Sequence, residues 1–287
     1  MSPGSETSPF PPSSTLGDVA RQLTLISAAA FAVLGVILFV APAWAATRFA
    51  WTVTPFMTMT IGAWCLGNAV VATHAARVWR WATVHPLFVY LWSFSLLEAL
   101  VLVRFHAKIV FGAALTWPYL ATLALALVAA VAGVADVLRL RPSLRGEDSQ
   151  AGPVLRVLWA IFAALVGFIG LAAFVKAHAT NLKVFPEPMT PFTLRAFGGF
   201  YLSLALGAAA VAMTRTLRPA IAYTSAPSTF TGLITLACLV YLHVFDLSAH
   251  HLQWIYLGAY LGALVLGLSV FAWARNKERS DARIGST

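Results

Sequence analysis

Uninterrupted apolar runs of about 20 residues recur along this chain, and they constrain its fold more than any other feature. About 20 helical residues, rising 1.5 Å each, cross a hydrocarbon core of ~30 Å. The runs are continuously apolar rather than alternating, so they read as helices and not as the strands of a barrel. Hydrophobic residues make up 60% of the 287 and charged residues 10%, against roughly a quarter charged in a soluble domain. Mean hydropathy is +0.81. The class is an all-α, polytopic membrane protein. Eight transmembrane helices are predicted, at about 24–43, 55–75, 86–105, 116–138, 154–176, 191–213, 228–246 and 253–274.

The runs fall into two similar sets of four. Thr54-Pro55-Phe56 and Thr190-Pro191-Phe192 each open a span, with Thr placed to cap it and Pro in its first turn. Pro86 and Pro153 are read as lying near helix starts in the same way. His106 stands eleven residues before Trp117, and His243 eleven before Trp254. The offset is 136 residues at the Thr-Pro-Phe landmark and 137 at the His and Trp landmark. Gly62 matches Gly198 at the first offset, and Ala126-Leu127-Val128 matches Ala263-Leu264-Val265 at the second. This is the pattern of a tandem duplication of a four-helix unit. An even number of spans per unit gives both halves the same orientation, related by a parallel pseudo-two-fold axis along the membrane normal.

The domain reading follows. Residues 1–20 form a Ser/Pro-rich disordered segment, 21–140 the first repeat, 141–152 a polar linker, 153–275 the second repeat, and 276–287 a charged tail. With the termini and linker on one side, that side carries thirteen Arg and Lys against six on the other. The positive-inside rule then puts both termini in the cytoplasm, with the chain in the plasma (cytoplasmic) membrane. This asymmetry and anionic lipid account for the net charge of +9 without nucleic acid, for which no recognition module is present. Ala43-Trp44-Ala45 resembles a signal-peptidase site, but cleavage there would remove a span that has a counterpart in the second repeat. Cys65 and Cys238 lie mid-span and read as small apolar residues. Abundant Ala and Arg with few Lys suggests a bacterium of high GC content.

Glu98 is the clearest chemical oddity, a carboxyl inside an apolar span. In hydrocarbon it must be protonated, paired or facing a hydrated cavity. Arg104 and Arg195 are the candidate partners, although six residues separate Glu98 from Arg104 and place them poorly on one helix face. Its counterpart at the second offset is Thr235. His106 and His243 are the second candidate site, expected at equivalent outer ends of two spans, where paired imidazoles can ligate haem iron or a transition metal. Asp246, three residues after His243, is placed with them, and its counterpart is Ile109. His178, His250, His251 and Glu187 are expected on the same side, forming a possible metal-binding rim. His74 and His85 are expected at the inner interface. Gly258 and Gly262 form a small-residue motif suited to helix packing within the bundle or in a homodimer.

Arg104-Phe105-His106 with Trp117-Pro118-Tyr119-Leu120, and Leu242-His243-Val244-Phe245-Asp246 with Trp254-Ile255-Tyr256-Leu257, resemble segments of an uncharacterised group of bacterial multi-pass membrane proteins. The resemblance implies an eight-helix duplicated bundle and transfers no activity. Walker, dinucleotide, zincin and nucleophile-elbow motifs are absent, and no loop is long enough to hold a catalytic domain. The sequence therefore leans away from an enzyme. Three functions remain open. The first is a non-catalytic accessory or scaffold subunit, or a binder of a lipid-like molecule. The second is a secondary transporter with a site between the repeats involving Glu98. The third is a haem- or metal-binding redox protein using His106 and His243. The expected partners are the lipid bilayer and other membrane subunits or a second copy.

Overall fold

The computed structural model describes residues 15–144, 150–175 and 185–284. Among these residues the secondary structure is helical, apart from an isolated bridge between Gln150 and Thr216. In chain order the helices are α1 (Asp18–Val40), α2 (Pro42–Ala46), α3 (Pro55–Val78), α4 (Trp81–Arg104), α5 (Thr116–Leu140), α6 (Pro153–Val175), α7 (Pro191–Met213), α8 (Leu217–Val240) and α9 (Leu252–Ile284). Single 3-10 turns follow α4 at His106–Lys108 and α8 at Leu242–Val244. Seven of the helices are long and apolar enough to cross a membrane. The architecture is that of a helical multi-pass membrane protein.

α8 is the exception, and it corrects the expected seventh span. It starts at Leu217 rather than near 228, and stops at Val240 rather than 246. Its N-terminal half is rich in Ser, Thr and Tyr, which shifts a hydropathy window toward the apolar residues after it. Several of the hydroxyls of α8 are satisfied within the helix: Thr224 donates to the Ala220 carbonyl, Thr229 to Ser225 and Thr231 to Pro227, while Tyr223 donates to Leu204 of α7. Such back-bonding makes a polar sequence compatible with a buried helix. Pro86 corrects a second expectation, since it lies inside α4 rather than in its first turn. Leu16 is buried and α1 begins at Asp18, so the segment expected to be disordered through residue 20 is ordered from residue 15. Residues 1–14, most of the linker's polar core (145–149), and His178 lie outside the described residues. The expected tail continues α9 to Ile284.

Local chemistry builds the two halves alike. Thr54 and Thr190 cap α3 and α7 by accepting from the Met57 and Thr193 backbone N–H groups, each cap worth about 1 kcal/mol. α1 packs closely on α3, and α6 on α7. Glycines make both approaches possible. A Cβ on Gly62 would meet the Phe39 backbone nitrogen at 2.7 Å, and one on Gly198 would meet that of Phe174 at 2.5 Å. Gly35 and Gly170 sit equally close, at 2.7–2.8 Å, to the backbone nitrogens of Leu66 and Leu202. Arg21 Nε donates to the Ala76 carbonyl at 2.8 Å, and Arg156 Nε to Ala212 at 3.0 Å, tying each first helix to the end of the next. The halves are joined by α4 against α7 and α3 against α8, with α4 also meeting α8.

The register between the halves changes twice: from 135 residues at Arg21 and Arg156 to 136 at Thr54 and Thr190, and by one more between α8 and α9. The backbone bonds Phe105 to Val101 and Ile109 to His106 recur as Tyr241 to Ala237 and Phe245 to Leu242, an offset of 136. Beyond the loop, the buried faces of α5 and α9 align Tyr119 with Tyr256 and Leu123 with Tyr260, an offset of 137. This second extra residue thus falls after the histidines. His106 corresponds in the backbone to Leu242, not to His243, and Glu98 corresponds to Ile234, not to Thr235.

Candidate functional site

Two features of the bundle interior carry chemistry: a cleft in the second half and a small cavity beside a buried carboxyl near the seam. The cleft arises because α9 packs on α8 but makes no extended contact with α6 among the described residues, whereas its counterpart α5 packs on α1. The space left has a volume of about 200 Å³ and lies among Phe162, Val166 and Ile169 of α6, Tyr201 and Leu204 of α7, Phe230 and Ile234 of α8, and Tyr256, Tyr260 and Ala263 of α9. A second space of about 80 Å³ borders the same Phe162, Pro227 and Ala263 and extends to Leu155 and Trp159. The walls are almost wholly aliphatic and aromatic. Their polar groups are the Tyr201 and Tyr260 hydroxyls, hydrogen-bonded to each other, with those of Thr231 and Tyr256, the Tyr256 ring lying 4.9 Å from that of Tyr260.

Glu98 is 3% exposed, on the face of α4 that meets α7. Its Oε1 would lie 3.1 Å from a Cβ placed on Gly199, so a side chain there would press on the carboxyl. Oε1 has no hydrogen-bond partner. Neither expected cation reaches it. Arg104 is exposed, its guanidinium 5.7 Å from the Phe105 ring centre. Arg195 donates from Nε to the Phe174 carbonyl at 3.1 Å and lies 5.1 Å from the same ring. The cavity beside Glu98 holds about 20 Å³ and is bordered by Phe31, Trp51, Trp64, Cys65, Tyr119 and Thr122. Trp51 is held in this lining by donating to Thr193 Oγ1 at 3.2 Å and stacking on Phe192.

The histidines are placed differently from expectation. His106 and His243 are both exposed, in the 3-10 turns rather than on helix ends. His106 Nδ1 lies 3.0 Å from the Val103 carbonyl, and the His243 ring is 5.8 Å from that of Tyr241. Asp246 does not continue a helical face with His243, because the helix has already ended. Its Oδ1 accepts from the Ala249 backbone N–H at 2.9 Å and from the Ser248 hydroxyl at 2.8 Å. These two bonds, the backbone one foremost, hold its carboxyl below the usual carboxylate range. Among the described residues no three His, Cys, Asp or Glu side chains cluster as metal ligands. Glu187 instead accepts a hydrogen bond from the Thr54 hydroxyl. His85, one turn into α4, is buried, with Nδ1 3.2 Å from the Trp81 carbonyl. Gly258 and Gly262 face out of the bundle, with nothing within 4 Å of a Cβ at either.

Sequence reading missed the cleft. One signal for it was present: the position of Phe31, counted from Arg21 and Gly35, is occupied in the second half by Val166, counted from Arg156 and Gly170. Comparison with protein families, with characterised proteins and with solved structures finds no match to this chain.

Proposed function

We propose that this protein is a non-catalytic, membrane-embedded binder of a lipid-like molecule, and that the molecule lies in the cleft between α6 and α9. The observation that carries the reading is the cleft itself: about 200 Å³ of apolar, aromatic-lined space in a bundle that is otherwise closely packed. A pocket of predominantly apolar walls with a few placed polar groups is the usual form of a small-molecule site. The absence of any basic side chain from its described lining favours a neutral or tail-first ligand over a charged headgroup. We further read the two halves as a tandem duplication related by a parallel pseudo-two-fold, supported by the matched glycines, caps and arginine bonds. On that reading one copy has kept a closed core and the other has opened into a site. The arginine distribution supports a bacterial cytoplasmic membrane with both termini inside. The outward-facing Gly258 and Gly262 leave room for a second copy or another membrane subunit.

The test is lipid analysis of the full-length protein purified in mild detergent, wild type against Ala263→Trp. Ala263 borders both parts of the cleft. A lipid present near one per chain in the wild type, and reduced at least fivefold in the folded variant, supports the reading. A lipid profile identical in the two proteins overturns it. Glu98 favours a second reading, a secondary transporter with its site between the halves, because an unpartnered carboxyl at the α4–α7 contact has no structural bond to explain it. Proton-driven uptake in vesicles that is lost in Glu98→Gln separates this reading from the first. The redox reading gains no support from the exposed, out-of-register histidines.

A further inference from the structure

Among the described residues three buried polar atoms of the first half lack hydrogen-bond partners: Asn68 Nδ2, and two whose residues border the same cavity. Those two are Glu98 Oε1 and Trp64 Nε1. Burying either atom unpaired forfeits its bonds to water with nothing in return, and such orphans in a native interior call for an explanation. The cavity between them holds about 20 Å³. A single water needs roughly 10–15 Å³ and two to four polar neighbours. The neighbours here are complementary to one water. The Trp64 indole N–H donates and cannot accept. Glu98 offers an acceptor oxygen. Thr122 gives its own proton to the Pro118 carbonyl at 2.8 Å, so its oxygen is free to accept. A water in the cavity accepts from the indole and donates to the carboxyl and the threonine.

The charge state of Glu98 follows from what faces it. From α1 come Phe31 and Leu34, and from α7 Ala196 and Gly199. α3 contributes Cys65 and α5 contributes Tyr119, while α4 itself carries Tyr90, whose hydroxyl donates to Asn68 Oδ1 at 2.8 Å. None of these is a cation, and both nearby arginines are engaged elsewhere. An ionised carboxylate in such a place has neither water nor counter-charge to offset its desolvation. A bound proton supplies the missing charge. We propose that this cavity is an intramembrane site for one proton and one water, with Glu98 as the carboxylic acid that holds the proton and Trp64 as the donor that holds the water. The site is separate from the α6–α9 cleft and does not depend on what the cleft binds. Its position against Gly199 puts proton uptake and release at the contact of α4 with α7, where the halves meet.

Infrared spectroscopy of the full-length protein in detergent at neutral pH tests this directly. The wild type is expected to show a carboxylic C=O stretch that shifts in heavy water and is missing from Glu98→Gln. Trp64→Phe is expected to keep that band and move it to higher frequency, because the carbonyl loses its hydrogen-bonded water. If no acid band distinguishes wild type from Glu98→Gln, the proton is not there and the proposal falls. If the band exists but Trp64→Phe leaves it unmoved, the water-linked site is overturned. Should Glu98→Gln not fold, Gly199→Ala serves in its place. It leaves the acid intact and crowds Oε1, so the same band must shift, and an unshifted band counts against the assignment.

Discussion

The two halves of this bundle share their caps, their glycine contacts and their arginine tethers, yet one is closed and the other open. In the first half α5 packs on α1, and Phe31 fills the space between them, 5% exposed and 6.2 Å from Phe94. The cavities that remain there hold about 20 Å³ each. In the second half Val166 stands at the position of Phe31, α9 stays away from α6, and the space grows to about 200 Å³. Tyr260 stands where the first half has Leu123, adding a hydroxyl that meets that of Tyr201. The helix scaffold thus tolerates both outcomes. What differs is side-chain volume along one helix interface, which is the cheapest way to turn a core into a pocket.

If the halves differ in this way, truncation must cost unequally. Phe31→Ala removes a buried ring from a closed core and is expected to destabilise by about 3–5 kcal/mol. Phe162→Ala removes a half-buried ring from a wall that already faces open space, and is expected to cost much less. Thermal melting of both variants in the same detergent checks this, and equal losses would break the comparison. The glycine contacts make the opposite forecast, because there the halves are alike. Gly62→Ala and Gly198→Ala each force a methyl group against backbone, so each is expected to cost about 1–3 kcal/mol. Gly198→Ala is expected to be no milder, given its 2.5 Å approach. A silent Gly198→Ala would mean that α6 lies further from α7 than described.

Much of the scaffold is legible in the sequence because its cause is local. Apolar runs, Thr-Pro helix starts and recurring glycines specify spans and their spacing without reference to anything distant. α8 is harder to place, since its Ser and Thr content, with hydroxyls such as those of Thr224 and Thr231 bonded within the helix, disguises its apolar environment. Glu98 announced itself through the cost of burying a carboxyl. Its surroundings did not, because the residues that border its cavity come from α1, α3, α5 and α7. A match on His and Trp alone pairs His106 with His243, because it cannot locate the residue by which the second half is longer after the histidines. The cleft depends on the stand of α9 relative to α6, a tertiary quantity with no local signature beyond the exchange of Phe31 for Val166.

The caps sharpen the comparison on a finer scale. Thr54→Ala removes a cap and also the bond from Thr54 to Glu187, which links the two halves. Thr190→Ala removes a cap and its bond to Thr193, within one helix turn. Each is expected to lower stability by about 1 kcal/mol, with the Thr54 variant the larger. Denaturant or thermal titration of the pair decides it, and a reversed order would place the link between the halves elsewhere.

The smallest expected difference lies in the loops that follow the 3-10 turns. In the first half the loop is held by uncharged bonds: Val110 N–H to the Ala50 carbonyl, Leu115 N–H to that of Arg48, and the Thr116 hydroxyl to that of Val110. In the second half Val110 is matched by Asp246, and its carboxylate gathers the Ser248 hydroxyl and the Ala249 N–H. Those bonds lower the folded-state pKa of Asp246. A lowered carboxylate pKa stabilises above the unfolded value of about 3.9 and loses that contribution as pH falls through the folded value. The loop at 245–251 is therefore expected to be unchanged from pH 7 to 5 and to loosen below about pH 4, while the loop at 109–115 stays indifferent. Hydrogen exchange at the Ala249 amide, compared with that at Val110 after correction for intrinsic rates, reads this out. Asp246→Asn keeps an acceptor oxygen without its charge, so it is expected to remove the acid sensitivity while leaving the turn formed. Acid-induced exchange that persists in Asp246→Asn would show that another group holds this loop.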